Sequence, residues 1–159
     1  MRIAVISDTH RNFHVLYDIV EKHRKEVSLF IHLGDGEREV EDIAMAFPGL
    51  PLETVRGNCD YASFTPSEKI IEVGGVKILI CHGHALGVKG GTGRLESMAL
   101  QNGCSIALYG HTHVADNRYV DGLYVMNPGS PSCPREGRPS YGMIDILPNV
   151  GIMPIIVRL

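Results

Sequence analysis

The chain has 159 residues, of which 44% are hydrophobic and 21% charged, with a formal net charge of −3 and a pI of about 6.2. This suits a single globular domain, residues 1–159, with a sizeable core, and it excludes a disordered or low-complexity chain. The densest basic stretch, 22–25, is broken by His23 and reads as a solvated helix face, so nucleic acid binding through a broad basic surface is not expected.

Residues 2–7 form a β-rich run that stops at Asp8. An amphipathic helix is expected over 13–25, with Val15, Ile19 and Val20 on its apolar face and Asn12 placed to cap it. A strand at 28–33 ends on Gly34-Asp35, a helix at 37–47 is stopped by Pro48-Gly49, and a strand at 51–55 ends on Gly57-Asn58. This alternation argues for parallel strands joined by crossover helices. The rhythm then changes. Strands at 68–73 and 76–81 flank Gly74-Gly75, a hairpin signal. The glycine-rich loop at 87–93 lacks a Gly-Lys-Ser/Thr ending, so it reads as a mobile rim and not as a nucleotide-phosphate loop. A helix at 94–101 and a strand at 105–109 follow, then a hairpin at 114–120 and 123–126 around Asp121-Gly122. A loop rich in Pro, Gly and Ser at 127–139 and strands at 141–147 and 152–157 complete an α/β chain whose second half is expected to be more antiparallel.

The apolar run that opens the chain is too short for a signal core or a membrane span. Cys59, Cys81, Cys104 and Cys133 show no Cys-x-x-Cys spacing, which disfavours a thiolate zinc site. Free thiols without a leader suggest a cytoplasmic location.

Metal-type residues recur where the apolar strands stop. Asp8 and His10 follow the first strand, Asp35 the second, and Asn58 and Asp60 the third. His82 and His84 follow the strand at 76–81, and His111 and His113 follow that at 105–109. Sites in α/β sheets form beyond the carboxyl ends of strands. Carboxylate, amide and imidazole donors together suit Mn, Fe, Zn, Co or Ni better than Ca or Mg. Gly34, Gly57, Gly83 and Gly110 beside them permit tight turns.

Asp8-x-His10, Gly34-Asp35, Gly57-Asn58-Cys59-Asp60, His82-Gly83-His84 and Gly110-His111-Thr112-His113 resemble, in order, the five blocks of the calcineurin-like metallophosphoesterase superfamily. With Asn127-Pro128-Gly129-Ser130, the pattern is similar to the small prokaryotic YfcE-type phosphodiesterase branch, which is related to the sorting protein Vps29. The resemblance implies a four-layer α-β-β-α sandwich of two mixed β-sheets with helices outside. It implies two divalent transition-metal ions, Mn²⁺ first among them and Ni²⁺, Zn²⁺, Fe²⁺ or Co²⁺ as alternatives. Asp8, His10 and His113 would hold one ion, Asn58, His82 and His111 the other, and Asp35 would bridge them. A bridging hydroxide would attack a small phosphodiester in line with the leaving oxygen.

Many members of the superfamily carry a histidine where Cys59 stands, and a thiol cannot replace a cationic imidazolium donor. Weak catalysis for poor leaving groups, or another acid, is then implied, and His84 is the candidate. Asp60 is expected to orient a neighbouring ligand rather than bind metal, and Cys59 to be small and packed beside the site. Arg135 and Arg138, in the Pro-rich loop, are candidate contacts to substrate phosphate. His14, His23 and His32 read as histidines without chemistry, His32 packing behind the site. Two other classes stay open: a protein-binding scaffold of the Vps29 type without catalysis, and a phosphomonoesterase or nuclease with the same ligands. A homodimer or tetramer would cover the edge strands of the second half.

Overall fold

The computed structural model describes residues 1–159. The first five-stranded sheet combines β1 (Arg2–Ile6), β2 (Leu29–His32), β3 (Leu52–Thr54), β9 (Ser140–Leu147) and β10 (Gly151–Arg158), in the order β10-β9-β1-β2-β3. The second combines β4 (Glu68–Val73), β5 (Val76–Cys81), β6 (Ile106–Leu108), β7 (Asp116–Val120) and β8 (Leu123–Asn127), in the order β4-β5-β6-β8-β7. The helices are α1 (Phe13–His23), α2 (Glu37–Ala46) and α3 (Gly93–Gln101).

Side chains alternate across each strand, and here both faces are covered. Ile3 and Val5 turn inward to meet Ile31 and Leu33 of their own sheet and Ile78, Ile80, Ile106 and Leu108 of the other. Ala4 and Ile6, one residue out of phase, pack under Leu16, Ile19 and Val20 of α1 and Ile43 of α2. On the far side Leu79, Ala107 and Val125 pack under Leu95 and Ala99 of α3. The result is the α-β-β-α sandwich of two mixed sheets that the motif order implies.

The first half is parallel and the second more antiparallel, as expected, although β5-β6 and β6-β8 in the second half are parallel pairs. Each sheet has a parallel centre, β1-β2-β3 in one and β5-β6-β8 in the other, flanked by antiparallel strands. β9 and β10 return to the first sheet, where Arg2 pairs in register with Asp145 and clasps its carboxylate at 2.8 and 2.9 Å. Hairpin signals reported the local turns and could not report this return.

Asn12 caps α1 as expected, its Oδ1 accepting from Val15 N–H at 3.2 Å. The helix ends at His23, whose ring is buried between Tyr141 OH at 2.8 Å and Glu26 at 2.6 Å, so this histidine is a structural tie and not an exposed one. The glycine-rich loop is less free than its composition suggests. A 3-10 turn at Val88–Gly90 buries Val88 in the α3-side core, and Val88 N–H donates to Gly83 O at 3.3 Å. No helix is long and apolar enough to cross a membrane.

Candidate metal centre

Chain reversal at the strand ends forces unusual backbone. Asp8, His10, Asp35, His111 and His113 all have positive φ, between 43° and 68°. Asp and His tolerate the left-handed region better than most residues, at a cost of order 1–3 kcal/mol each. Two glycines make the turns fit together. A Cβ at Gly57 would lie 2.0 Å from Asp35 Oδ1, and one at Gly110 would lie 2.0 Å from Ser7 Oγ and 2.8 Å from Asp8 Oδ2.

Each buried ligand-type side chain has one polar atom tied down and the other free. Asp8 Oδ2 accepts from Ser7 Oγ–H at 2.6 Å and His111 N–H at 3.0 Å. Asp35 Oδ1 accepts from Cys59 N–H at 2.7 Å. His82 Nδ1–H donates to Leu33 O at 2.7 Å and His113 Nδ1–H to Cys133 O at 2.8 Å, which leaves both Nε2 lone pairs facing inward.

The free atoms converge. Asp8 Oδ1 is buried without a hydrogen-bond partner, with His113 Nε2 3.2 Å away, His10 Nε2 at 3.9 Å and His82 Nε2 at 4.0 Å. Asp35 Oδ2 lies 3.8 Å from His10 Nε2 and 3.5 Å from His82 Nε2. His10 Nε2 and His113 Nε2 are 3.0 Å apart, and Asn58 Oδ1 is 3.1 Å from His82 Nε2. A buried acceptor left without a donor is costly, and a cation answers it. The donors form three metal-competent sets, Asp8 with His10 and His113, Asp8 with Asp35 and His82, and His10 with Asp35 and Cys59. The His111 ring stands outside the tight cluster, its centroid 5.0 Å from that of His82.

The electrostatics agree. Burial opposes ionisation of Asp8, but the nearby His113 and His82 overcome it and hold its pKa below the usual value. Asp35 is likewise buried, and His82 together with the Cys59 N–H holds it well below the carboxylate range. Desolvation, with the charges of His82 and Lys89, pushes His111 down to about 4, so it offers a neutral nitrogen. His113 is raised chiefly by Asp8. His82 is desolvated, yet Asp35 and Asp8 raise it. Two ionised carboxylates amid imidazoles are a site that calls for positive charge, and the Asp, Asn and His donors fit a divalent transition metal.

The remaining expected residues have distinct places. Asp60 ties the loops together: its Oδ2 accepts from Asp35 N–H at 2.8 Å and Gly57 N–H at 2.7 Å, and its Oδ1 accepts from Gly36 and Glu37 N–H, both at 3.0 Å. It thereby caps α2, whose own N-cap, Gly36, has no side chain to do so. Because Asp60 turns inward, Cys59 is left exposed, not packed as expected, and its Sγ groups with His10 and Asp35. Partial desolvation and Asp35 push its thiol up to about 11. His84 stands with its ring 5.4 Å from His82, its Nδ1 buried and unpartnered. Desolvation and the charges of His82 and Arg56 lower its pKa. Arg135 is exposed beside His113, whose carbonyl accepts from Arg135 N–H at 3.1 Å. Arg138 is exposed, and its backbone carbonyl accepts from Arg158 Nη1 at 3.3 Å.

His32 packs behind the site as expected, and it belongs to a set of supports whose other members were not all singled out in the sequence. His32 is buried, and desolvation pushes it down to about 4. Its Nδ1 accepts from Gly34 N–H at 3.3 Å, so Nε2–H donates to Thr9 Oγ at 3.1 Å, and Thr9 Oγ–H donates to Glu39 at 2.9 Å. Glu39 also accepts from Arg11 N–H at 2.6 Å. Ser130 Oγ–H donates to Asp8 O at 2.8 Å, and Asn127 Nδ2–H donates to Gly110 O at 2.9 Å. The Asn-Pro-Gly-Ser block was the one signal for the last two; for Thr9 and Glu39 there was none.

A model of the calcineurin-like phosphoesterase superfamily domain matches residues 1–148. The probable metallophosphoesterase YsnB of Bacillus subtilis is 35% identical over 147 residues, 92% of this chain and 85% of that protein. Phosphodiesterase YfcE of Escherichia coli is 31% identical over 101 residues, 57% of this chain and 50% of that protein. Its solved structure superposes with a TM-score of 0.70 at 21% identity over 99% of both chains. Vps29 of Entamoeba histolytica, solved in complex with Zn²⁺, gives a TM-score of 0.73 at 25% identity over 99% of both chains. With its five motif blocks gathered at one end of the sandwich, this chain belongs to the calcineurin-like phosphoesterase superfamily.

Proposed function

We propose that the chain is a hydrolase of small phosphodiesters that works with two divalent transition-metal ions. The observation that carries this reading is Asp35 Oδ2, free and 3.5–3.8 Å from nitrogens on both sides, His82 and His10. Asp8, His10 and His113 would hold one ion, Asn58, His82 and His111 the other, and Asp35 would touch both. When bound, such ions lower the pKa of a water and neutralise charge on the phosphoryl oxygens.

The chain's own part is to hold this arrangement ready. Leu33 O and Cys133 O fix the two histidine tautomers, and Asp60 fixes the separation of the Asp35 and Asn58 loops. Arg135 at the rim can reach a phosphate bound near His113, and Arg138 belongs to the same loop. Because Cys59 brings no cationic donor, rates should follow the quality of the leaving group. The donor set accepts several transition metals, Mn²⁺ is put first by the family resemblance, and the Zn²⁺ complex of Vps29 supports a transition metal here.

The test is hydrolysis of bis(p-nitrophenyl) phosphate, a dialkyl phosphate and p-nitrophenyl phosphate with Mn²⁺, repeated with Asp35→Ala. The reading expects the activated diester to be cut fastest and the variant to be inactive. Absence of hydrolysis with every transition metal would favour the scaffold reading that the likeness to Vps29 raises. A monoester preferred over both diesters would move the activity to phosphomonoesters.

A further inference from the structure

Beside the ligand side chains the surface opens into a cleft of about 1460 Å³. His10, Asp35 and Cys59 line its inner end, and Phe13, Tyr61 and Phe64 line it further out. Its charged lining is predominantly acidic, Arg11 and Arg38 against six carboxylates, so attraction of an anion does not set what the cleft prefers and the rings are left to do so.

Tyr61 is 85% exposed and Phe64 fully exposed, an unfavourable setting for two aromatic rings unless something stacks on them. Nor is the segment that carries them loose. Glu37, in the first turn of α2, accepts from the Ser63 hydroxyl at 2.5 Å and the Thr65 hydroxyl at 2.6 Å, and Ser63 Oγ accepts from Thr65 N–H at 3.1 Å. Ala62, between the rings, has φ +62°, a conformation that non-glycine residues rarely adopt. The backbone that carries the rings is therefore tied to the start of α2, which follows Asp35 by two residues.

We propose that this cleft holds the base of a nucleoside, stacked on Tyr61 and Phe64, so that the substrates are phosphodiesters of nucleosides. The inference rests on the phosphodiesterase reading. Size permits a nucleoside: an open cleft of about 1460 Å³ is larger than the roughly 300–1,000 Å³ usual for small-molecule sites and has room for base, sugar and phosphate together. Stacking of a base on an aromatic side chain tolerates any base, so little discrimination among bases is expected.

Thymidine 5′-monophosphate and 2-deoxyribose 5-phosphate share sugar and phosphate and differ by the base. Both are measured as inhibitors of bis(p-nitrophenyl) phosphate hydrolysis by the Mn²⁺-loaded protein. The nucleotide should bind about tenfold tighter or more. The Tyr61→Ala/Phe64→Ala double variant should lose that preference and keep its bound metal, while Tyr61→Phe/Phe64→Tyr should retain it. Equal inhibition constants in the native protein, or a preference that survives the double alanine variant, would overturn the inference. If the reporter ester is not cut at all, the proposed activity fails by itself, and calorimetry with the same two ligands still decides whether the cleft takes a base.

Discussion

At the metal-binding end, five ligand-type side chains sit on backbone of positive φ, and the second polar atoms of Asp8, Asp35, His82 and His113 are all occupied. In the adjoining cleft, Tyr61 and Phe64 stand in water on a segment held from below by Glu37 alone. One region uses strained backbone and hydrogen bonds to aim individual atoms. The other fixes only the position of two flat surfaces. The difference matches two tasks: chemistry needs directed lone pairs, whereas recognition of a planar group needs only a wall.

Substitutions should separate the regions in order of effect. Asp35→Ala removes the carboxylate proposed to touch both ions, and a loss of roughly a thousandfold or more in kcat/KM is expected, with metal content falling in parallel. A variant that kept its activity would break the comparison at its root.

Asp60→Ala comes next. It leaves four backbone N–H groups of two ligand loops and the α2 start without their acceptor. Urea denaturation should show a loss of about 2–3 kcal/mol, and metal affinity should drop tenfold or more. Unchanged affinity would mean that the loops hold their positions without it.

His32 tests the buttress behind the ligands through pH. Its pKa falls from 6.5 in the unfolded chain to about 4 in the folded one, so the unfolded state binds the proton more tightly. Its contribution is fully present above pH 6.5 and is lost as pH falls toward 4, amounting to about 3 kcal/mol by the lower end. Metal-free native protein should lose stability across that window more steeply than His32→Gln, and parallel curves would show that the histidine is not held neutral. The smallest effect belongs to the cleft. Tyr61→Ala/Phe64→Ala should change stability by less than about 0.5 kcal/mol, because neither ring is buried.

The contrast also explains what could be read from the sequence. The strand ends were legible because apolar runs stop abruptly at Asp8, Asp35, Asn58, His82 and His111, and the structure gathers those ends in one place. Local signals reported local structure: Asn12 does cap α1, and Gly74-Gly75 does join β4 to β5. What they missed is long-range. The return of β9 to pair with β1 and the parallel pairing of β6 with β8 depend on burial of both sheet faces, which no turn signal encodes. Asp60 was expected to orient a ligand, but its four N–H partners come from residues 35–37 and 57, and only the folded chain brings these together. Cys59 is exposed for the same reason, since the inward turn of Asp60 carries its neighbour out. That 61–66 would rim the pocket was legible, but the role of Tyr61 and Phe64 was not, because aromatic residues in a polar stretch look the same whether they pack or wait for a ligand.

The central claim is that five strand ends build one centre for two cations about Asp35. Titration of metal-free protein with Mn²⁺, with bound metal counted by elemental analysis, tests it most directly. The account predicts two ions per chain in the native protein and at most one in Asp35→Ala. A native protein that binds none or only one, or an Asp35→Ala variant that still binds two, would contradict it.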